Sequence, residues 1–190
     1  MASHRTRAHQ LTEKHRWFAV VKRIPEERAT IGAEIGVLNG ATSANVLQYR
    51  PKTVLIMVDP WSADNRDQSY IDSGAEDASA DQAWLDENMQ FALDDTMPFE
   101  ARRKVWRMKS EDAAPEVNNG TLDYVFIDGD HSYEGVKRDI TLWWPKVKEG
   151  GWIGGHDWKS ERHPEVTYAV VDAFVEPHET DTDKTWFVWK

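Results

Sequence analysis

The sequence predicts an α/β fold: a Rossmann-like, doubly wound, mainly parallel sheet with helices on both faces. Three observations predict it. The run Thr53-Val54-Leu55-Ile56-Met57-Val58 is almost unbrokenly apolar, as suits a strand buried on both faces. Strand-like runs alternate with helical segments through the chain. The stretch Thr30 to Ser43 passes from a β-compatible run through Gly36 and Gly40 into an Ala/Thr/Ser-rich helix start. Parallel sheets build ligand loops in that way.

The elements follow in order. Leu11 to Ile24 places Trp17, Phe18, Val20, Val21 and Ile24 near helical spacing, and Pro25 closes a helix expected to cover the sheet. The first strand is Thr30 to Ile35, and the helix after its loop runs from Ala41 to Gln48 until Pro51 stops it. The second strand, Thr53 to Val58, ends at Asp59-Pro60-Trp61. Ser62 to Asp81 is polar and aperiodic, with a break at Ser73-Gly74, and a helix is expected from Ala80 to Leu93. This connection, 62–100, is too long for an ordinary loop and is expected to form an acidic lid or insertion, or else a solvated excursion.

Lys104 to Met108 predicts a third strand despite its basic residues, and Ser110 stands where a helix N-cap is expected. The fourth strand, Leu122 to Ile127, ends in Asp128-Gly129-Asp130-His131. A helix from Ser132 to Trp144 lines up Val136, Ile140 and Trp143/Trp144 and stops at Pro145. Glu149-Gly150-Gly151 turns into the fifth strand, Trp152 to Gly155, which ends at His156-Asp157-Trp158. A helix from Pro164 to Phe174 and a strand from Thr185 to Trp189 complete the pattern. There is no internal repeat. The expectation is one domain over 1–190, its N-terminal helix within 1–25.

Composition narrows the classes. Without cysteine, disulfides and thiolate metal sites are excluded. No apolar run approaches the roughly 18 residues that cross a membrane. The basic, polar start lacks the hydrophobic stretch of a secretory signal, so a cytoplasmic location and no membrane partner are expected. The net charge of −10 is concentrated: residues 61–100 hold eleven Asp/Glu against one Arg. That acidity argues against non-specific nucleic acid binding. Oligomeric state is open.

Ligands of such sheets bind at the carboxyl ends of the strands. Strands one to five end there in Glu34 with the Gly36–Gly40 loop, Asp59, Ser110, Asp128 to His131, and His156-Asp157. One acidic strand end means little, because Asp often caps a following helix; several on one edge predict a site. The loop is neither Gly-x-Gly-x-x-Gly nor a P-loop, which disfavours a dinucleotide or a nucleoside triphosphate and hence a nicotinamide-dependent oxidoreductase. Asp59 follows Gly36 by 23 residues, about the spacing that sets a carboxylate under a ribose. A nucleoside cofactor held by its ribose is expected.

These residues carry a resemblance. Glu34-Ile35-Gly36, Asp59, Phe126-Ile127-Asp128-Gly129-Asp130-His131-Ser132-Tyr133 and Glu149 through Asp157 are similar to the class I S-adenosylmethionine-dependent methyltransferases. Within them the pattern is most similar to the small-molecule O-methyltransferases that include catechol and macrocin O-methyltransferases. The resemblance covers residues 30–158. It implies S-adenosyl-L-methionine as cofactor and a small-molecule acceptor.

It further implies that Glu34 and Gly36 border the methionine moiety, with Leu38, Asn39 and Thr42 completing the cofactor loop. Asp59 would bind the ribose, Trp61 and Ser110 would lie near the adenine, and Asp128 would face the sulfonium. Asp128 and Asp157 match ligands of the Mg²⁺-dependent members, whereas His156 stands where those carry a carboxylate. His131 and His156 are the candidate bases, beside Asp128 and Asp157 in the catalytic set. The Trp61, Trp84 and Trp158 rings are expected in the core rather than as substrate platforms, with Trp158, just beyond the site, the best platform candidate of the three, and Asp139 is expected to be structural. A protein of the same fold that binds the cofactor without turnover is the alternative; the intact acid and histidine set favours the enzyme.

Overall fold

The structure is a computed structural model and describes residues 14–64 and 66–190. The chain runs α1 (Arg16–Val21), β1 (Thr30–Ile35), α2 (Ala41–Tyr49), β2 (Thr53–Asp59), α3 (Gln68–Asp72), α4 (Gln82–Thr96), β3 (Arg103–Arg107), α5 (Ser110–Ala113), β4 (Leu122–Ile127), α6 (Tyr133–Trp143), β5 (Val147–Gly155), α7 (Pro164–Phe174), β6 (Glu179–Asp181) and β7 (Thr185–Trp189). The seven strands form one sheet in the order β3-β2-β1-β4-β5-β7-β6. β1 to β5 are parallel; β7 runs antiparallel to β5, and β6 antiparallel to β7. The order reverses between β1 and β4, and a ligand crevice opens at such a reversal.

Side chains alternate across the sheet with the period of two that a strand imposes. Ala33, Ile35, Ile56, Val58, Val125, Ile127, Ile153 and Val188 face α6 and α7, meeting Val136, Ile140, Trp143, Val166 and Val170. The opposite set, Leu55, Met57, Tyr124, Phe126, Trp152 and Phe187, meets Trp17, Val20, Val46 and Leu47 of α1 and α2. Two cores thus sandwich the sheet.

Most predicted elements stand within two or three residues of their expected ends. The first helix begins only at Arg16, and residues 11–13 lie outside the described residues. Ser132 caps α6 as expected, accepting the Gly135 N–H at 3.1 Å. Ser110 does not cap α5. Lys109 holds that position, and the Ser110 hydroxyl instead accepts the Trp143 indole N–H at 2.8 Å.

The acidic connection divides in two. Its second half is α4, an ordinary crossover helix capped by Asp81, which accepts the Trp84 N–H at 2.9 Å. Its first half carries α3, which the sequence pattern did not show, and is held to the loop after β5. His163 Nδ1 lies 3.1 Å from the Ser73 carbonyl, and Arg162 donates to the Gly74 carbonyl at 3.2 Å. β6 was likewise not expected. Lys22 and Arg23 at the end of α1 pair with its Asp181, which fixes α1 beside the sheet's far edge.

Candidate active site

A cleft of about 940 Å³ opens at the carboxyl ends of β1, β2, β4 and β5. Every predicted site residue lines it: Glu34, Gly36, Leu38, Asn39, Thr42, Asp59, Trp61, Ser110, Asp128, His131, His156 and Asp157. Trp158 does not. It is packed in the core facing α6 and α7, which removes it as a substrate platform.

The loop after β1 is shaped by the protein itself. Gly36 has φ +85°, and a Cβ there would lie 2.4 Å from the Asp128 carbonyl and from Gly129. Gly40, φ +78°, would meet Ala92 of α4 at 2.7 Å. Both glycines are therefore required by close packing of the chain on itself, where the sequence alone suggested approach to a ligand. Asp59 holds the loop from below. Its Oδ2 accepts the N–H groups of Val37 and Leu38, each at 2.9 Å, and its Oδ1 accepts that of Trp61 at 2.8 Å. The Trp61 indole N–H closes the circuit on the Leu38 carbonyl at 2.8 Å. Leu38 and Trp61 take φ of 49° and 39°, and Asp157 takes 62°. Non-glycine residues hold such angles only where the surroundings enforce them, and such positions cluster at functional sites.

Burial tunes the two carboxyls of this half. It pushes Glu34 up to about 8, against the hydrogen bond that the Ser43 hydroxyl donates to it. It raises Asp59 to about 6 despite the three backbone donors. Burial also raises Asp139, to about 7, opposed by its hydrogen bond with Ser110, and this carboxyl too lines the cleft.

The other half of the cleft is a cluster of two aspartates and two histidines. His131 Nε2 lies 3.1 Å from Asp157 Oδ2 and 3.7 Å from Asp128 Oδ1. His156 Nδ1 lies 2.8 Å from Asp157 Oδ2 and 3.5 Å from Asp128 Oδ1. Burial alone would lower both imidazoles, but the facing carboxylates outweigh it and hold each at about 9. Asp128 is buried, which alone would raise its pKa; the Arg16 guanidinium, then His131 and His156, bring it below the ordinary range. The two histidines do the same for Asp157 against its burial.

Two members were not foreseen. Arg16 of α1 pairs with Asp128, and its backbone N–H donates to Asp183 at 3.0 Å. Asp183, in the turn between β6 and β7, faces His156 Nε2 at 3.6 Å. Neither carries a sequence signal: one is an arginine in a basic terminus, the other an aspartate in a polar turn. Across the cluster, His163 stacks on His131 with ring centroids 4.5 Å apart.

The donor set does not fit Mg²⁺. That ion demands near-octahedral oxygen ligands, and here two of the four convergent side chains offer nitrogen.

A family profile described as a methyltransferase domain matches residues 33–158. The chain belongs to this methyltransferase family. The family's methyl donor is S-adenosyl-L-methionine, so the chain is an S-adenosylmethionine-dependent methyltransferase. Among solved structures, the O-methyltransferase NovP is similar with a TM-score of 0.63 and 16% identity, over 92% of this chain and 79% of that one. The precorrin-6y C5,15-methyltransferase of Geobacter metallireducens is similar with a TM-score of 0.57 and 12% identity, over 83% of this chain and 69% of that one. These likenesses show the fold. Among curated proteins, "Uncharacterized protein R132" of Acanthamoeba polyphaga mimivirus is 42% identical over 50 residues, 26% of this chain and 23% of that protein. The match spans about a quarter of that relative's length. No helix among the described residues is long and apolar enough to cross a membrane.

Proposed function

We propose that this methyltransferase moves the methyl group of S-adenosylmethionine to an oxygen of a small molecule. The observation that carries the reading is that one cleft joins the Gly36–Thr42 loop to the Asp128, His131, His156 and Asp157 cluster. The loop half receives the cofactor. Glu34 and Gly36 border its methionine moiety, and Leu38, Asn39 and Thr42 continue that wall. Asp59 shapes the loop through three backbone bonds and keeps its remaining acceptor capacity for a ribose hydroxyl. Trp61 and Ser110 flank the adenine.

The sulfonium already activates the methyl group, so the protein's tasks are in-line positioning and removal of the acceptor's proton. In the transfer the acceptor oxygen forms the new C–O bond while the C–S bond breaks, and the electron pair stays on sulfur. The acceptor proton is taken by the neutral imidazole of His131 or His156, each held, against burial, at about 9 by its facing carboxylates, in the only group of convergent acids and imidazoles among the described residues. The name of NovP supports oxygen as the acceptor atom. The size of the cleft supports a small molecule beside the cofactor, since drug-sized sites fall at about 300–1,000 Å³. Arg66, Asp67, Tyr70 and Asp77 from the acidic connection line the same cleft, which supports its role as acceptor-side lid.

The test is a transfer screen with methyl-labelled S-adenosylmethionine against hydroxylated small molecules. Label is expected in an O-methyl product, and Asp128→Asn and Asp157→Asn should each lower turnover at least about a hundredfold. Labelled product methylated only at carbon or nitrogen would overturn the acceptor assignment.

A further inference from the structure

We propose that His163 is a positioning residue that joins two parts of the site: its ring fixes the imidazole of His131, and its Nδ1 hydrogen bond latches the acidic connection over the cleft. The geometry stands on the chain's own contacts; its catalytic meaning rests on the proposed function, with His131 as the base. Three observations carry this. The first is the stack. The rings of His163 and His131 lie 4.5 Å apart between centroids and 23° from parallel. His131 Nε2 faces Asp157 and Asp128 at 3.1 and 3.7 Å, but its Nδ1 is buried without a hydrogen-bond partner. Among the described residues no hydrogen bond holds the ring from that side, so packing against His163 sets its orientation.

The second is the latch. His163 Nδ1 lies 3.1 Å from the Ser73 carbonyl, which can only accept, so this nitrogen carries the hydrogen. Arg162 adds its bond to the Gly74 carbonyl at 3.2 Å. Both bonds grip the connection just after α3, and Arg66, Tyr70 and Asp77 of the same connection line the cleft. Its other end is tied to the end of β2, where Gln82 donates to the Trp61 carbonyl at 2.9 Å. The connection thus bridges the end of β2 and the loop after β5. Burial first, and the charge of His131 second, lower the His163 pKa, so its ring is neutral and stacks on His131 without charge repulsion.

The third is the stiffness of the mount. His163 holds the N-cap position of α7, 7% exposed, and Pro164 after it restricts its backbone. Glu165 in the first turn of α7 accepts the Tyr133 N–H at 2.9 Å, which keeps residues 131–133 beside residues 163–165. One fixed ring therefore carries both contacts, and each contact governs a different step. Without the latch the closed form that binds the acceptor is less populated, which raises KM. Without the stack the His131 ring leaves its productive geometry, which lowers kcat.

Two substitutions in the full chain separate the contacts. His163→Phe keeps a ring against His131 and removes the donor to Ser73. His163→Asn keeps an N–H near the place of Nδ1 and removes the ring. Arg162→Ala weakens the latch alone and remains informative if a His163 variant fails to fold. Hydrogen exchange across residues 66–81 should quicken in His163→Phe and Arg162→Ala and stay near wild type in His163→Asn. Carbethoxylation of His131 by diethylpyrocarbonate, read by mass spectrometry, should quicken in His163→Asn alone. With catechol as probe acceptor, His163→Phe should raise KM at least about threefold with kcat nearly kept. His163→Asn should lower kcat at least about tenfold with KM nearly kept. Equal changes in both His163 variants on exchange and carbethoxylation, or no change in either, would overturn the proposal whether or not catechol is turned over. A crossed pattern without the KM–kcat split, in a chain that methylates catechol, would overturn the positioning role. A crossed pattern in a wild-type chain that does not bind S-adenosylhomocysteine would uphold both contacts and overturn the methyltransferase reading.

Discussion

Asp59, at the end of β2, accepts the backbone N–H of Val37 at 2.9 Å and so ties one strand end to the loop of the next. The same carboxylate takes Leu38 and Trp61. Asn at this position turns one acceptor into a donor facing backbone N–H groups. Asp59→Asn is expected to lower stability by about 1–3 kcal/mol and to weaken S-adenosylhomocysteine binding at least tenfold. Urea unfolding and calorimetry check the two effects separately.

Gly36 is the residue of the loop with least tolerance. Its φ of +85° disfavours any side chain, and a Cβ would meet the Asp128 and Gly129 backbone at 2.4 Å. Gly36→Ala should cost about 2–4 kcal/mol, because strain and overlap act together. Thermal unfolding measures it. Gly74, with open space around its Cβ position and φ +70°, should lose less on the same change, from backbone strain alone.

Glu34 predicts a pH dependence. Its carboxyl is pushed from 4.5 to about 8 by burial, so the folded chain holds a proton that the unfolded chain releases. Its contribution to stability is fully present below about pH 4.5 and is lost as pH rises through about 8. Glu34→Gln should match the wild type near pH 5 and exceed it near pH 9, as read from denaturant midpoints across that range. Because S-adenosylmethionine carries positive charge near this carboxyl in the proposed pose, its binding at pH 7 should release a proton. Calorimetry in buffers of different ionisation enthalpy detects the release.

Arg16 should protect the fold against acid. It is the largest influence holding Asp128 low against burial. In Arg16→Gln the Asp128 carboxyl should titrate higher, so the stability that its ionised form contributes should be lost at a higher pH than in the wild type. Denaturant midpoints below about pH 5 show the shift.

The sequence made the strand ends legible because polar residues after apolar runs mark where a parallel sheet meets solvent. It was silent on what those residues bond to. Nothing in the spacing of Asp59 says that its oxygens are engaged by Val37, Leu38 and Trp61, because those bonds arise only when β1 and β2 lie side by side. Arg16 and Asp183 are 167 residues apart and meet only because β7 runs back along β5 and carries the β6–β7 turn to the cleft. α3 and β6 are too short, at five and three residues, to impose a period on their sequences. The glycines misled for a related reason: a backbone without Cβ serves close packing as readily as it serves a ligand, and Ala92 against Gly40 is visible only in three dimensions.

The central claim is that the cleft between the Gly36–Thr42 loop and the Asp128 cluster holds S-adenosylmethionine. Calorimetric titration of the purified chain with S-adenosylhomocysteine tests it most directly. The account predicts one site of micromolar affinity, weakened at least tenfold in Asp59→Asn. The absence of binding to the folded wild-type chain at millimolar ligand would contradict it.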